Sequence, residues 1–317
     1  MKKTFFLVLL FGRILFVLAC EDADECPGYC TETAGPIDFT GNLDTPIYHP
    51  SGKFLVFIYS GNTDDTDPVG LFTIDLQTGK LDSFTTILSP QSRSMGNIDF
   101  SPDGQWLTFT SYPGIWISKL NGDSLQQLTS IKRVSFPRWS PDGKMIAYNQ
   151  SVEPDVGAWI MDVKTRKSRF IKRYGSRSHW HPDGTKLACY LGGNRKELVE
   201  YGIDGLSQFT LANEKTIGRK IGGFYTGPYS PAGDKILFSM YEPGKNPLVY
   251  VMDVEEKRPI PLAVGTKPAW SPDGNEIVFE MGSLNSGGIW IMDSNGCNKR
   301  LLILTDDFRV WLRENVK

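Results

Sequence analysis

The chain has 317 residues, with 34 Lys and Arg against 36 Asp and Glu, 40% apolar residues and 12% aromatic residues. Its net charge of −2 excludes the wholesale basic coat that duplex nucleic acid demands. No apolar run reaches the roughly 18 residues of a spanning helix. The 32 glycines and 20 prolines exceed the share of a helical domain without reaching that of a disordered chain, which suits many short strands joined by turns.

Lys2 and Lys3 precede an apolar stretch from Phe5 to Leu18, the layout of a cleaved export signal. Arg13 interrupts that stretch and weakens it without abolishing it. The stretch ends Val17-Leu18-Ala19-Cys20. A small residue directly before a cysteine resembles the lipobox of bacterial lipoproteins, and the resemblance implies cleavage before Cys20 and lipidation of its thiol. Cleavage would remove Lys2, Lys3 and Arg13, leaving 31 positive against 36 negative charges, or −5. Glu21-Asp22-Ala23-Asp24-Glu25 then forms an acidic, solvated tether behind the anchor, and acidic residues in that place hint at export to the cell surface. The expected division is residues 1–19 as signal peptide, 20–34 as tether and 35–317 as the folded domain.

The envelope is oxidising, so cysteines can pair there. Cys26 and Cys30, in Cys-Pro-Gly-Tyr-Cys, are close enough to close a small local loop, and a structural staple is expected before a redox pair.

An internal repeat decides the fold class. An aromatic residue followed by Ser-Pro-Asp-Gly, or a near variant, opens each unit: Tyr48-His49-Pro50-Ser51-Gly52, Phe100-Ser101-Pro102-Asp103-Gly104, Trp139-Ser140-Pro141-Asp142-Gly143, Trp180-His181-Pro182-Asp183-Gly184, Tyr229-Ser230-Pro231-Ala232-Gly233 and Trp270-Ser271-Pro272-Asp273-Gly274. The steps between prolines are 52, 39, 41, 49 and 41 residues. Pro-Asp-Gly makes a tight turn, with Pro fixing φ and Gly supplying a positive φ. Five residues after the proline stand Leu55, Leu107, Ile146, Leu187, Ile236 and Ile277. Seven after it stand Phe57, Phe109, Tyr148, Cys189, Phe238 and Phe279, so both positions share one face of a strand. A third strand follows, as in Ala158-Trp159-Ile160-Met161-Asp162, then a polar turn such as Thr78-Gly79 or Asn121-Gly122 and a fourth strand. Four antiparallel strands repeated six times predict an all-β, six-bladed β-propeller, whose radial closure hides the sheet edges. Pro46, Pro137 and Pro268 fall in the innermost strand, whose free edge faces the channel. Pro36–Thr40 and Phe308–Leu312 are the candidates for sealing the ring.

These units resemble the WD-repeat-like propeller repeat of the TolB family over about residues 40–304. The family also carries a separate α/β domain before its propeller, for which the stretch of about twenty residues between Cys20 and the first blade leaves no room. The resemblance therefore implies a TolB-like propeller lipoprotein without that domain, engaging another envelope protein.

Motifs for chemistry are few. No Gly-x-Ser-x-Gly, Gly-x-Gly-x-x-Gly or P-loop pattern occurs. His49, His179 and His181 are the only histidines. His179 and His181 alternate onto one side of a strand, where a shared metal is the sharp reading; the bland, preferred one is that His49 and His181 replace serine at the turn entrance and His179 is incidental. Cys189 occupies an apolar slot and reads as an inert core thiol. Cys297, in a hairpin turn, reads as an unremarkable surface cysteine before a mixed disulfide with a partner. The Asp residues of the Pro-Asp-Gly turns read as turn stabilisers, and the aromatic residues at blade starts as inter-blade packing. No catalytic residue, metal site or cofactor is assigned.

One asymmetry remains. The crossings from each fourth strand to the next first strand gather on one face. They contain Arg93, Lys132, Arg133, Lys172, Arg173, Arg177, Lys215, Arg219, Lys220 and Lys267, with Glu214 the one acid; Arg138 begins the next strand. Asp64, Asp65, Asp67, Glu153 and Asp155, in other loops of that face, offset part of the charge. Converging cations at a channel mouth would attract an anionic partner or ligand. Arg93, Arg133, Arg138, Arg177, Lys220 and Lys267 are the expected contact residues. The expected function is a non-enzymatic, protein-binding lipoprotein of the cell envelope, held on the outer membrane through Cys20, facing the periplasm or the outside, with no nucleic acid partner. The alternative is a metal-dependent lyase or hydrolase, or a binding protein, for acidic oligosaccharides.

Overall fold

A computed structural model describes residues 5–10, 13–18, 43–59, 70–83, 95–282 and 287–315. A hairpin of β1 (Phe5–Leu10) and β2 (Arg13–Leu18) forms a sheet of its own. The rest is six four-stranded antiparallel sheets, each built from four consecutive strands. Blade 1 is β3 (Leu43–Tyr48), β4 (Phe54–Tyr59), β5 (Gly70–Asp75) and β6 (Leu81–Ser83). Blade 2 is β7 (Met95–Phe100), β8 (Trp106–Ser111), β9 (Ile115–Lys119) and β10 (Gln126–Thr129). Blade 3 is β11 (Val134–Trp139), β12 (Met145–Gln150), β13 (Gly157–Asp162) and β14 (Ser168–Arg173). Blade 4 is β15 (Gly175–Trp180), β16 (Lys186–Leu191), β17 (Glu197–Gly202) and β18 (Gln208–Ala212), followed by a single helical turn, α1 (Glu214–Ile217). Blade 5 is β19 (Gly223–Tyr229), β20 (Lys235–Tyr241), β21 (Leu248–Asp253) and β22 (Pro259–Val264). Blade 6 is β23 (Thr266–Trp270), β24 (Glu276–Gly282), β25 (Gly287–Asp293) and β26 (Arg300–Leu304), and helix α2 (Thr305–Asn315) follows. The six-bladed propeller expected from the repeat is the observed fold.

The repeated turn does what its residue types dictate. In blade 3 the Asp142 carboxylate accepts from the Ser140 hydroxyl at 2.6 Å and the Lys144 amide at 3.0 Å, while Ser140 Oγ accepts from the Met145 amide at 2.9 Å. Asp103 and Asp273 are held in the same way by Ser101 and Ser271. Blade 5, with Ala232 in that slot, recruits Asp234 instead, which accepts from Ser230 at 2.7 Å. Gly143 needs its φ of 70°, and a Cβ there would meet Pro102 of the preceding blade at 3.7 Å. The turns thus stack around one face of the ring. His49 and His181 belong to this collar: each donates from Nε2 to the turn glycine of the next blade, at 3.0 Å to the Gly104 carbonyl and 3.2 Å to that of Gly233.

Period-two alternation buries Leu55, Phe57, Ile146, Tyr148, Ile236 and Phe238 completely. The blade-start aromatics fill the joints between blades: Trp180 packs with Ala147, Ala158 and Ile160 of blade 3, and Trp270 with Leu237 and Val249 of blade 5. Cys189 is fully buried, and burial pushes its thiol up to about 12. Cys297 departs from expectation. It is disulfide-bonded while Cys189 is free, so its partner lies outside the described residues. That partner is remote in sequence, which the hairpin around Cys297 does not reveal.

Every innermost strand carries a register shift one to three residues before its blade aromatic. In five blades the shift holds a non-glycine residue at positive φ: Thr45 (51°), Asn97 (50°), Phe136 (54°), Arg177 (53°) and Lys267 (50°). Pro46, Pro137 and Pro268 come directly after such residues, where the bulge has already broken the ladder.

Among the described residues the ring closes without strand exchange. The Phe308–Leu312 tail seals it as part of a helix: Phe308, fully buried, lies 4.8–5.4 Å from the rings of Phe57, Tyr59 and Phe72 of blade 1, and Leu312 joins the same cluster as Ile289, Ile291 and Ile303 of blade 6. The other candidate, Pro36–Thr40, lies outside the described residues.

Candidate functional site

Strand registers place the crossings and the loops between second and third strands at one end of the blades. In blade 3, Val134 pairs with Gln150, Gln150 with Gly157, and Gly157 with Arg173. Arg133 and Lys220 sit exposed on crossings at this face. Cys20, Cys26, Cys30, Asp64, Asp65, Asp67 and Arg93 lie outside the described residues.

Arg138 and Lys267 go elsewhere. The innermost strands line an axial cavity of about 170 Å³ containing Asp99, Arg138, His179, Tyr225, Thr226 and Lys267. Arg138 is buried, and its Nη1 donates to the Ile98 and Pro137 carbonyls at 2.8 and 3.1 Å. The Asp99 carboxylate accepts from the Trp139 amide at 2.7 Å, and burial pushes that carboxyl up to about 6 against the pull of Arg138. Burial and Arg138 together hold the His179 imidazole well below its ordinary value, so it is neutral. His179 therefore faces the channel while His181 serves the turns. The two do not share a site, and no cluster of three or more metal-ligating side chains exists among the described residues.

Lys267 ties blade 6 to blade 1. Its ammonium lies 2.5 Å from Asp44 and 3.1 Å from Glu280. Burial works to raise Asp44, but Lys267 overrides it and leaves Asp44 below the usual range. Glu280, more deeply placed, is pushed by burial up to about 7 despite Lys267. Its Oε1 accepts from the strained Thr45 amide at 2.6 Å.

The open space lies off the axis. Between blades 3 and 4 a cleft of about 840 Å³ is lined by Lys172, Arg173, Arg177 and Arg195, with Phe136, Val156, Tyr174 and Leu191 among its apolar walls; no Asp or Glu lines it. Arg177 is set with care by its surroundings. Its amide donates to Asn149 Oδ1 at 2.8 Å, and its guanidinium lies 5.3 Å from the Phe136 ring and 4.7 Å from the Tyr225 ring. Nη1 reaches the Phe224 carbonyl at 3.4 Å, whereas Nε is buried without a hydrogen-bond partner. Arg173 lies over Tyr174 at 5.3 Å and 3.7 Å from Glu153. Lys172 and Arg195 form no ion pair among the described residues. Other cations of the face are matched: Arg219 by Glu242 at 3.1 Å and Lys196 by Glu214 at 3.6 Å.

Of the sequence-expected set, only Arg177 joins this cleft, beside the crossing residues Lys172 and Arg173. Arg195 and the ring pair Phe136 and Tyr225 escaped sequence reading. The Gly192-Gly193 turn, which puts Arg195 at the same end of the blade as the crossings, was the available signal for the first.

The propeller is similar in sequence to the Tol-Pal system protein TolB of Francisella tularensis subsp. mediasiatica, 31% identical over 182 residues, which is 55% of this chain and 41% of the relative. The ring is TolB-like. The chain spans about two-fifths of the length of the curated relatives it matches. The crystal structure of TolB from Acinetobacter baumannii superposes with a TM-score of 0.64 at 21% identity, covering 82% of this chain and 63% of that one. The β-propeller domain of the Trilobed protease from Pyrococcus furiosus, described as having an open velcro topology, gives 0.50 at 14% identity, covering 84% of each chain. These structural likenesses are likenesses of fold. No family model matches the chain.

Proposed function

We propose that this chain is a binding scaffold of the cell envelope, lipid-anchored through Cys20, whose crossing face captures another envelope protein without chemical turnover. The observation that carries this reading is the set of unpaired cations gathered at one face of a rigid ring around an acid-free cleft. The likeness to a Tol-Pal system protein supports an envelope setting and a protein partner. A propeller face also suits the task, since rigid blades hold many loops in fixed relation.

The test is crosslinking of the full-length chain in cells, recovery from detergent-solubilised membranes, and mass spectrometry. The wild type should give one dominant protein adduct. Reversing charge together at Arg133, Arg177 and Lys220 should lower its yield about tenfold, with the circular dichroism spectrum unchanged. Full adduct yield from the triple variant removes the basic face from the reading, and free monomer alone from the wild type removes the protein partner.

A further inference from the structure

We infer that the binding subsite is the cleft between blades 3 and 4, not the axial channel, and that it takes an acidic peptide segment carrying an aromatic or aliphatic side chain. This rests on the protein-binding reading and names the chemistry of the segment captured.

The channel is a poor anchor for a ligand. Its cavity of about 170 Å³ is small, and its charges are already engaged: Arg138 by backbone carbonyls, Asp99 by the Trp139 amide, and Lys267 by Asp44 and Glu280. A charged ligand there would have to break contacts that hold blades together. The cleft asks for no such exchange. At about 840 Å³ it falls in the range of roughly 300–1,000 Å³ typical of ligand clefts. Lys172 and Arg195 are unpaired among the described residues, and Arg177 adds its charge to the same lining. An incoming carboxylate gains charge-assisted contacts with Lys172 and Arg195 without displacing an acid already held there. The Phe136 and Tyr225 rings and the bulged backbone at Arg177 hold the guanidinium in place beforehand, which lowers the ordering cost of binding.

The same lining selects against a sugar. Hydroxyl-rich ligands need acceptors, and the cleft has no carboxylate. Asn149, one of its three side-chain amides, is already occupied at both ends, by the Arg177 amide and the Gly175 carbonyl. Phe136, Val156 and Leu191 instead offer an apolar wall for a peptide side chain while the rim cations take its neighbouring carboxylates.

The experiment is fluorescence anisotropy of the full chain with a dye-labelled pentapeptide, two acidic residues on each side of a central Phe. The same peptide with Asn and Gln in place of the acids, and tetragalacturonate, serve as competitors. The acidic peptide should bind, and neither competitor should displace it. Lys172→Glu/Arg195→Glu, both at the cleft rim, should weaken it at least about tenfold. Lys164→Glu/Lys167→Glu makes the same charge change on an exposed turn at the other end of blade 3 and should change affinity less than about twofold. Unaltered affinity in the rim variant, equal loss in both double variants, or displacement by tetragalacturonate overturns the inference. The cellular adduct separates the two readings. If it persists at full yield in Lys172→Glu/Arg195→Glu, the cleft falls and the scaffold stands.

Discussion

At the junction of blades 6 and 1, helix α2 inserts Phe308 and Leu312 between the sheets, and Lys267 is matched by two carboxylates. At the junction of blades 3 and 4 an open cleft is left, and its Lys172 and Arg195 meet no acid among the described residues. The difference follows from chain connectivity. Among the described residues each blade is one contiguous segment, no strand exchange ties the last blade to the first, and side chains hold that seam shut. Blades 3 and 4 are joined by the backbone itself through Tyr174, so their junction can stay open and keep charge unpaired. Stability should therefore respond to the seam and binding to the cleft.

The largest effect is expected from Phe308→Ala. The ring is fully buried against three aromatic side chains of blade 1, and its removal should cost about 3–5 kcal/mol in urea unfolding. Phe136→Ala, at a half-buried wall of the cleft, should cost about 1–2 kcal/mol, because less apolar area leaves water there. Equal losses would erase the distinction between the two junctions.

The next effect concerns charge. Lys267→Met strands Glu280, whose side chain is 15% exposed, and Asp44, 41% exposed. The loss should be about 2–3 kcal/mol, below the full penalty for breaking a buried pair because Asp44 keeps much of its hydration. Lys172→Met at the cleft should stay within about 0.5 kcal/mol, since that ammonium has no partner to lose. A cleft lysine as costly as the seam lysine would mean that the cleft cations are structural after all.

How much of this was legible in the sequence depends on range. The Pro-Asp-Gly turns and the alternation after them are local, so six blades and their inward faces could be read from residues a few positions apart. The turn histidines His49 and His181 and the turn aspartates were legible for the same reason, whereas the buried place of His179 in the channel was not. The helical form of the seal was not read, although Asp306 and Asp307 ahead of Phe308, Trp311 and Leu312 carry the start and the one-sided spacing of a short helix. At the crossing face the sequence announced the cations. Which of them are neutralised depended on contacts such as Lys267 with Asp44, more than 200 residues apart. The bulge that turns Arg177 between Phe136 and Tyr225 joins three blades and has no local sequence mark.

The smallest effect is a pH dependence that belongs to the seam. Glu280 has a folded-state pKa of about 7, above its ordinary 4.5, because burial outweighs the attraction of Lys267. The folded protein therefore holds a proton at Glu280 that the unfolded chain releases. The associated stability is full below about 4.5 and fades as the pH rises through about 7. Asp99, at about 6, acts in the same direction, whereas His179, neutral when folded, favours the folded state more as the pH rises toward 6.5. The comparison that isolates the seam is Glu280→Gln against wild type. Relative to wild type, the amide variant should gain on the order of 2 kcal/mol between pH 5 and pH 8 in urea unfolding, since it never ionises. Asp44 does not interfere, because Lys267 holds it below the usual carboxylate range and its titration ends before this window opens. The cleft has no carboxyl or imidazole in its lining, so peptide affinity should stay flat over the same interval apart from the peptide's own titration. A Glu280→Gln difference that is constant with pH would show that Glu280 is ionised throughout. The seam would then be a plain salt bridge, and its contrast with the cleft would rest on packing alone.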